Sequence, residues 1–283
     1  MPASPSERAA ACIAQADALL VAAGAGMGVD SGLPDFRGPE GFWRAYPALG
    51  RAGIDFYSAA SPASFRRDPA LAWGFYGHRL ALYRATAPHA GFALLEGWGR
   101  RMRQGWAVFT SNVDGHFQQA GTAPAALLEC HGSIHHLQCL EDCRGAVWPA
   151  DAFVPEVDTG QCRLLNAPPR CPHCGALARP NILMFGDGDW NAQREQAQAA
   201  QLQDWLAGLR RTRARLVVVE IGAGTAVPSV RHFVQGVQRG LGARLVRINP
   251  REAAVTGPHD VAMPAPALQA LQDIAEHVSG SLD

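Results

Sequence analysis

Two short apolar runs, each ending in a glycine-spaced loop, constrain this chain more than any other feature. Ala18-Leu19-Leu20-Val21-Ala22-Ala23 runs into Gly24-Ala25-Gly26-Met27-Gly28, and the β-branched run Leu216–Ile221 runs into Gly222-Ala223-Gly224-Thr225. Runs of this length without polar alternation fit strands buried on both faces of a parallel sheet. Parallel strands need long crossovers, and helical patterns supply them. Ser4-Pro5-Ser6-Glu7 has the spacing of a capping box with proline at the first helical position, and residues 9–16 continue that helix. Phe92, Leu95, Trp98 and Met102 recur at helical spacing, ahead of a strand over residues 107–110. A helix is expected from Pro228 and a strand over Arg244–Ile248. Leu268, Leu271, Ile274 and Val278 mark a last helix stopped at Gly280. Such alternation predicts an α/β fold: a Rossmann-like open parallel sheet with helices on both faces.

The alternation is interrupted twice. Residues 37–86 are rich in aromatics and punctuated by Pro and Gly, which suggests short helices and loops covering a pocket. Residues 139–174 hold most of the cysteines and little periodicity, as a small inserted module would. The expected division is a Rossmann-like domain of residues 1–40, 86–138 and 176–283, a helical cover segment of residues 41–85, and a metal-binding module of residues 139–175.

Seven cysteines, an odd count without an export signal, argue against a disulfide framework. The spacing Cys139-x3-Cys143, 27 residues, then Cys171-x2-Cys174 suits four thiolates around a tetrahedral structural zinc, with Cys162 in the intervening loop as an alternative ligand. Residues 1–8 lack a signal-peptide pattern and no run approaches the roughly 18 apolar residues of a membrane span, so a cytoplasmic location without a membrane partner is expected. Charge balances at 25 against 25, which offers nucleic acid no general attraction. All 25 basic residues are Arg, so any lysine acted on must come from another molecule.

The glycines after residue 23 let backbone N–H groups approach a pyrophosphate closely. Val29 stands where a third glycine of the dinucleotide fingerprint would be, and a tight strand-to-helix turn explains the same composition. The loop then continues as Ser31-Gly32-Leu33-Pro34-Asp35-Phe36-Arg37-Gly38, where a Rossmann dehydrogenase would enter its helix. Further along stand Thr110-Ser111-Asn112-Val113-Asp114, Ala120-Gly121, Cys130-His131-Gly132-Ser133, the two cysteine pairs, Pro180-Asn181-Ile182-Leu183-Met184-Phe185-Gly186-Asp187 and Ile248-Asn249. In this order and spacing they resemble the sirtuin family, over residues 18 to about 250.

The resemblance implies an NAD-dependent protein lysine deacylase, with NAD and a structural zinc as cofactors and an acylated-lysine protein or peptide as partner. It places NAD against Gly24, Ala25 and Gly26, against Asp35, Phe36 and Arg37, and against Ser111, Asn112 and Asp114. Gly222, Gly224, Thr225 and Asn249 complete the cofactor side, and Met184, Phe185 and Gly186 hold the peptide. His131 and Asn112 are the implied catalytic residues. The acyl carbonyl oxygen attacks C1′ of the nicotinamide ribose, nicotinamide leaves, and His131 accepts a proton from a ribose hydroxyl that then takes the acyl group. The cofactor supplies the nucleophile, so Cys130 reads as packing.

Tyr76-Gly77-His78-Arg79 sets a hydroxyl and a guanidinium one helical turn apart, a pair able to grip a carboxylate. Sirtuins that remove succinyl or malonyl groups carry such a pair in this region; a helix with Arg79 in solvent is the alternative. The chain departs from the family pattern with Ser111 for Gln, Gly28 for Ser, Gly222-Ala223-Gly224-Thr225 for Gly-Thr-Ser, and Asp187 for Glu. The shorter Ser111 cannot reach the same ribose contacts. It keeps an ADP-ribosyltransferase or NAD glycohydrolase on the same fold as the second reading.

Overall fold

A computed structural model describes residues 3–34 and 38–278. Helix α1 (Pro5–Ala14) leads into β1 (Ala18–Ala23), and the helices α2 (Gly38–Ala45), α3 (Pro47–Arg51), α4 (Phe56–Ala59), α5 (Pro62–Arg67) and α6 (Pro69–Ala85) follow. Next come α7 (Ala90–Arg101), β2 (Trp106–Thr110), α8 (His116–Gln119) and β3 (Leu127–Glu129). The inserted region holds β4 (Gly132–Cys139), β5 (Val147–Pro149), β6 (Val157–Asp158), β7 (Arg163–Leu164) and β8 (Ala178–Ile182). The chain closes with α9 (Gln193–Thr212), β9 (Leu216–Ile221), α10 (Ser229–Leu241), β10 (Arg244–Ile248), β11 (Val261–Met263) and α11 (Ala267–Val278).

Six strands form one sheet in the order β11-β10-β9-β1-β2-β3, every neighbouring pair parallel. From β1 the chain builds outward through β2 and β3, then returns to the other side of β1 with β9. That reversal opens a crevice at the carboxyl ends of β1 and β9, the place where open α/β sheets bind ligands. Both glycine loops leave the sheet there.

The apolar runs are fully buried because each strand feeds two cores. Leu19, Val21 and Ala23 pack with Ile13, Leu95 and Leu271 of α1, α7 and α11. Leu20 and Ala22 pack with Leu209, Val230 and Val234 of α9 and α10. The capping box forms: Ser4 Oγ accepts from the Glu7 amide at 3.2 Å, and the Ser4 amide donates to Glu7 at 2.6 Å.

A third core joins the aromatic segment to the inserted region. Phe42, Phe65, Trp73, Phe75 and Tyr76 pack with Ile134, Leu137, Ile182 and Met184. β4 pairs antiparallel with β5 and β8. A Cβ on Gly74 would lie 2.0 Å from the Cys162 carbonyl oxygen, so only glycine lets α6 approach the turn between β6 and β7. Among the described residues no helix is long and apolar enough to cross a membrane.

Candidate active site

The two glycine loops are built against each other. Gly222 has φ +61°, a left-handed conformation that glycine adopts without strain. A Cβ there would lie 2.4 Å from the Met27 nitrogen and 2.5 Å from Gly26. A Cβ on Gly24 would meet the Ala223 Cα at 2.8 Å. The Gly26 amide donates to the Gly222 carbonyl at 3.0 Å, and Asn249 Nδ2 donates to the Ala223 carbonyl at 2.9 Å. Thr225 Oγ1 lies 3.1 Å from Glu252. Gly222→Ala is expected to cost at least about 1 kcal/mol from φ alone and more from the backbone contact. A lower melting temperature with weakened NAD binding by calorimetry checks this; wild-type values for both would contradict it.

The exit of β2 reaches into the same crevice. The Asn112 amide nitrogen Nδ2 donates to the Gly24 carbonyl at 3.0 Å, and the Asn112 backbone is held by Thr110 Oγ1. Asp114 is buried, which pushes its carboxyl above the ordinary range, and its Oδ1 accepts from the His116 amide at 2.9 Å. From β4, His135 Nε2 donates to the Asp114 carbonyl at 2.8 Å. A Cβ on Gly28 would sit 3.6 Å from Asp114 Oδ2, so the serine that Gly28 replaces would face this carboxyl.

His131 sits between β3 and β4. Its Nε2 lies 3.0 Å from the Ser229 hydroxyl, at the start of α10. Burial holds its pKa below the usual imidazole value, opposed by a hydrogen bond to the Ser111 backbone that favours the protonated ring. The ring thus bridges the β2 exit and the segment that follows the second glycine loop. A lowered pKa keeps the imidazole neutral, and able to accept a proton, to lower pH than an ordinary histidine. The acid limb of kcat/KM is therefore expected to have its midpoint below about 6.5. A midpoint at or above 7 would contradict the assignment. Burial also pushes the Cys130 thiol up to about 12, which leaves it unionised beside the histidine.

The 183–187 segment lies next to His131. The Leu183 amide donates to the His131 carbonyl at 2.9 Å, and the Phe185 amide donates to the Ala60 carbonyl at 2.9 Å. The Phe185 ring lies 4.3 Å from that of Tyr57, itself 59% exposed. Gly186 turns with φ +63°, and Asp187 pairs with Arg179 through two contacts of 2.8 Å in full burial.

Arg79 is not in solvent: it is 8% exposed. Its guanidinium donates to the Tyr83 hydroxyl at 2.9 and 3.0 Å and lies 5.3–5.7 Å from the rings of Phe75, Tyr76 and Tyr83. Tyr76 is buried with it and stacks on Phe65. Burial pushes the Tyr76 hydroxyl up to about 12, and Asp187 adds to the shift by electrostatic repulsion. Tyr76 belongs to the same core as Met184, with Phe185 packed against it. Asp35, Phe36 and Arg37 lie outside the described residues.

The sulfurs of Cys139, Cys143, Cys171 and Cys174 all lie within 4.8 Å of one another. Cys139 is 3.7 Å from Cys174, and Cys143 is 3.6 Å from Cys171. A tetrahedron of thiolates at about 2.3 Å from zinc has edges near 3.8 Å, so the four residues fit that metal and leave no open position. Cys162, the alternative ligand, is instead buried against α6 and is not part of the cluster.

The family model described as Sir2 family matches residues 24–207. The chain belongs to the Sir2 family. It is 32% identical over 266 residues to NAD-dependent protein deacylase 2 of Pyrobaculum aerophilum, covering 93% of this chain and 92% of that protein. It is 30% identical to NAD-dependent protein deacylase 1 of Pseudomonas aeruginosa, covering 93% and 94%. The solved structure of a Sir2 homologue–NAD complex shares its fold, with TM-score 0.74, 22% identity and coverage of 98% and 95%. A Sir2 protein bound to a propionylated peptide does so with TM-score 0.63, 18% identity and coverage of 96% and 97%.

Three residues that touch the expected site residues were not legible in the sequence: Ser229 at His131, and His135 and His116 at Asp114. The repeat His135-His136 marks a candidate, but nothing local ties it to Asp114. Ser229 follows a proline and resembles a helix cap.

Proposed function

We propose that this chain removes acyl groups from lysine side chains of other proteins by transfer to ADP-ribose, and that its acyl pocket favours acidic acyl groups. The observation that carries the first part is His131. Its carbonyl holds the 183–187 segment, while its ring reaches the β2 exit and the start of α10. One imidazole thus stands where the peptide side meets the dinucleotide crevice. NAD supplies the electrophilic ribose carbon and the hydroxyl that receives the acyl group.

The chain's residues divide the remaining work. Gly24, Ala25, Gly26, Gly222, Gly224 and Thr225 are assigned to the phosphates, where backbone N–H groups outside parallel strand ends suit anions. Asn249 steadies the second loop through Ala223 and is assigned to the adenosine side. Ser111, Asn112 and Asp114 are assigned to the nicotinamide ribose and amide. The bond from Asn112 to the Gly24 carbonyl supports this assignment. His131 accepts a proton at Nε2, the nitrogen that faces Ser229. Met184, Phe185 and Gly186 are assigned to the peptide, and the four cysteines hold zinc away from the reacting atoms.

Support for an acidic acyl group comes from Tyr76 and Arg79. A guanidinium held among three aromatic rings is dry and fixed, and contact with a carboxylate is strongest in such surroundings. Arg79→Met is expected to lower kcat/KM for a succinyl-lysine peptide roughly 10- to 100-fold more than for the matching acetyl peptide, as loss of a charge-assisted bond implies. Equal losses on both peptides would remove the acidic-acyl reading and leave the deacylase reading intact.

A further inference from the structure

The partner of the base is a residue that no motif marks. Ser229 is the first residue of a 13-residue helix, and the hydroxyl of a serine so placed ordinarily serves the helix's free amides. Here α10 begins without any side-chain capping bond, with Pro228 at its cap position. The Ser229 hydroxyl is turned instead to His131 Nε2, 3.0 Å away and 98 residues distant in sequence.

We infer that Ser229 is a positioning residue for His131, fixing the direction of Nε2 in both protonation states of the ring. The inference rests on His131 being the base. A hydroxyl suits this task because it both donates and accepts. The Ser111 backbone contact favours the protonated ring, so it accepts a ring N–H. A neutral ring that keeps its proton for Ser111 presents the Nε2 lone pair to the Ser229 O–H. For Nε2 to take a proton in turnover, the Ser229 O–H rotates off its lone pair; the hydroxyl oxygen then accepts from the new N–H, and the ring need not turn. An amide or carboxylate side chain could not exchange roles this way without moving. Ser229 also follows the exposed residues Thr225, Ala226 and Val227, so the bond links the second glycine loop to the base.

The test uses the full chain with Ser229→Ala and Ser229→Thr, read first without NAD. Nitrogen-15 imidazole spectra of the neutral ring are expected to show His131 as a single tautomer with Nε2 unprotonated in wild type. Ser229→Ala shifts the Nε2 signal and mixes the tautomers; Ser229→Thr restores the wild-type signal. In turnover, Ser229→Ala lowers kcat about 10-fold, as loss of one positioning hydrogen bond implies. KM for NAD changes less than twofold, and Thr recovers most of the rate. Unchanged ring signals in Ser229→Ala, or a rate loss that Thr does not recover, would overturn the inference. Failure of the base assignment is separate: it appears as retained acyl transfer in His131→Ala, whatever the Ser229 variants do.

Discussion

Replacing His131 with Ala is expected to lower peptide-dependent acyl transfer by roughly 10²–10⁴-fold, the range a positioned general base contributes. NAD affinity should stay close to wild type. The phosphate-facing atoms assigned here are backbone groups of residues 24–26 and 222–225, held by their own hydrogen bonds and by Asn249. The imidazole meets the continuation of the second loop at Ser229, beyond these phosphate-facing residues. His131 also supplies a backbone carbonyl to Leu183, a contact that alanine keeps, so the peptide segment should remain docked. Calorimetry with NAD and product quantification with an acyl peptide separate the two effects. Acyl transfer at the wild-type rate in His131→Ala would end the base assignment. Loss of NAD binding together with activity would show that the ring supports the crevice itself.

Removing the zinc is expected to be the largest stability change available in this molecule. The four-sulfur cluster ties Cys139 at the end of β4 to Cys143 and to the Cys171–Cys174 turn ahead of β8. Cys143 and Cys174 are exposed, so little apolar burial replaces the metal there. Structural zinc sites in small peptides contribute on the order of 10 kcal/mol to folding. Four thiolates brought within 4.8 Å without the ion repel one another. Cys171→Ser, or a strong chelator, should lower the melting temperature by more than about 10 °C, since each kcal/mol shifts it by roughly 2–4 °C in a chain of this size. After chelation the four cluster thiols should become reactive, and zinc but not magnesium should restore the protein. Activity should fall as well, because His131 directly precedes β4, whose far end carries Cys139. An unchanged melting temperature after chelation would contradict the site.

Much of this was readable because the informative residues are close together in sequence. A six-residue apolar run followed by glycines states both a buried strand and the loop that leaves it. Cysteine spacing stated the metal, and His131 stood inside a recognisable motif. What escaped depends on contacts across long stretches of chain. α9 buries only Leu202 and Leu209 along 20 residues, so its polar face hides it from a search for amphipathic periodicity. β3 and β11 are three residues each, too short to carry a pattern, and they exist because they pair with β2 and β10. Tyr-x-x-Arg placed Tyr76 and Arg79 on one helical face but could not say whether that face was buried. Packing of α6 on the inserted region decides it. The Ser229–His131 contact depends on how α10 is set against the sheet.

The most direct test of the assigned chemistry is a mass balance. The protein is incubated with NAD and an acyl-lysine peptide, and nicotinamide and O-acyl-ADP-ribose are quantified together by mass spectrometry, with and without peptide. Equal amounts of the two products, formed only when peptide is present, are expected. Nicotinamide accumulating at the same rate without peptide, with free ADP-ribose in place of the acylated product, would contradict acyl transfer and identify a glycohydrolase on the same fold.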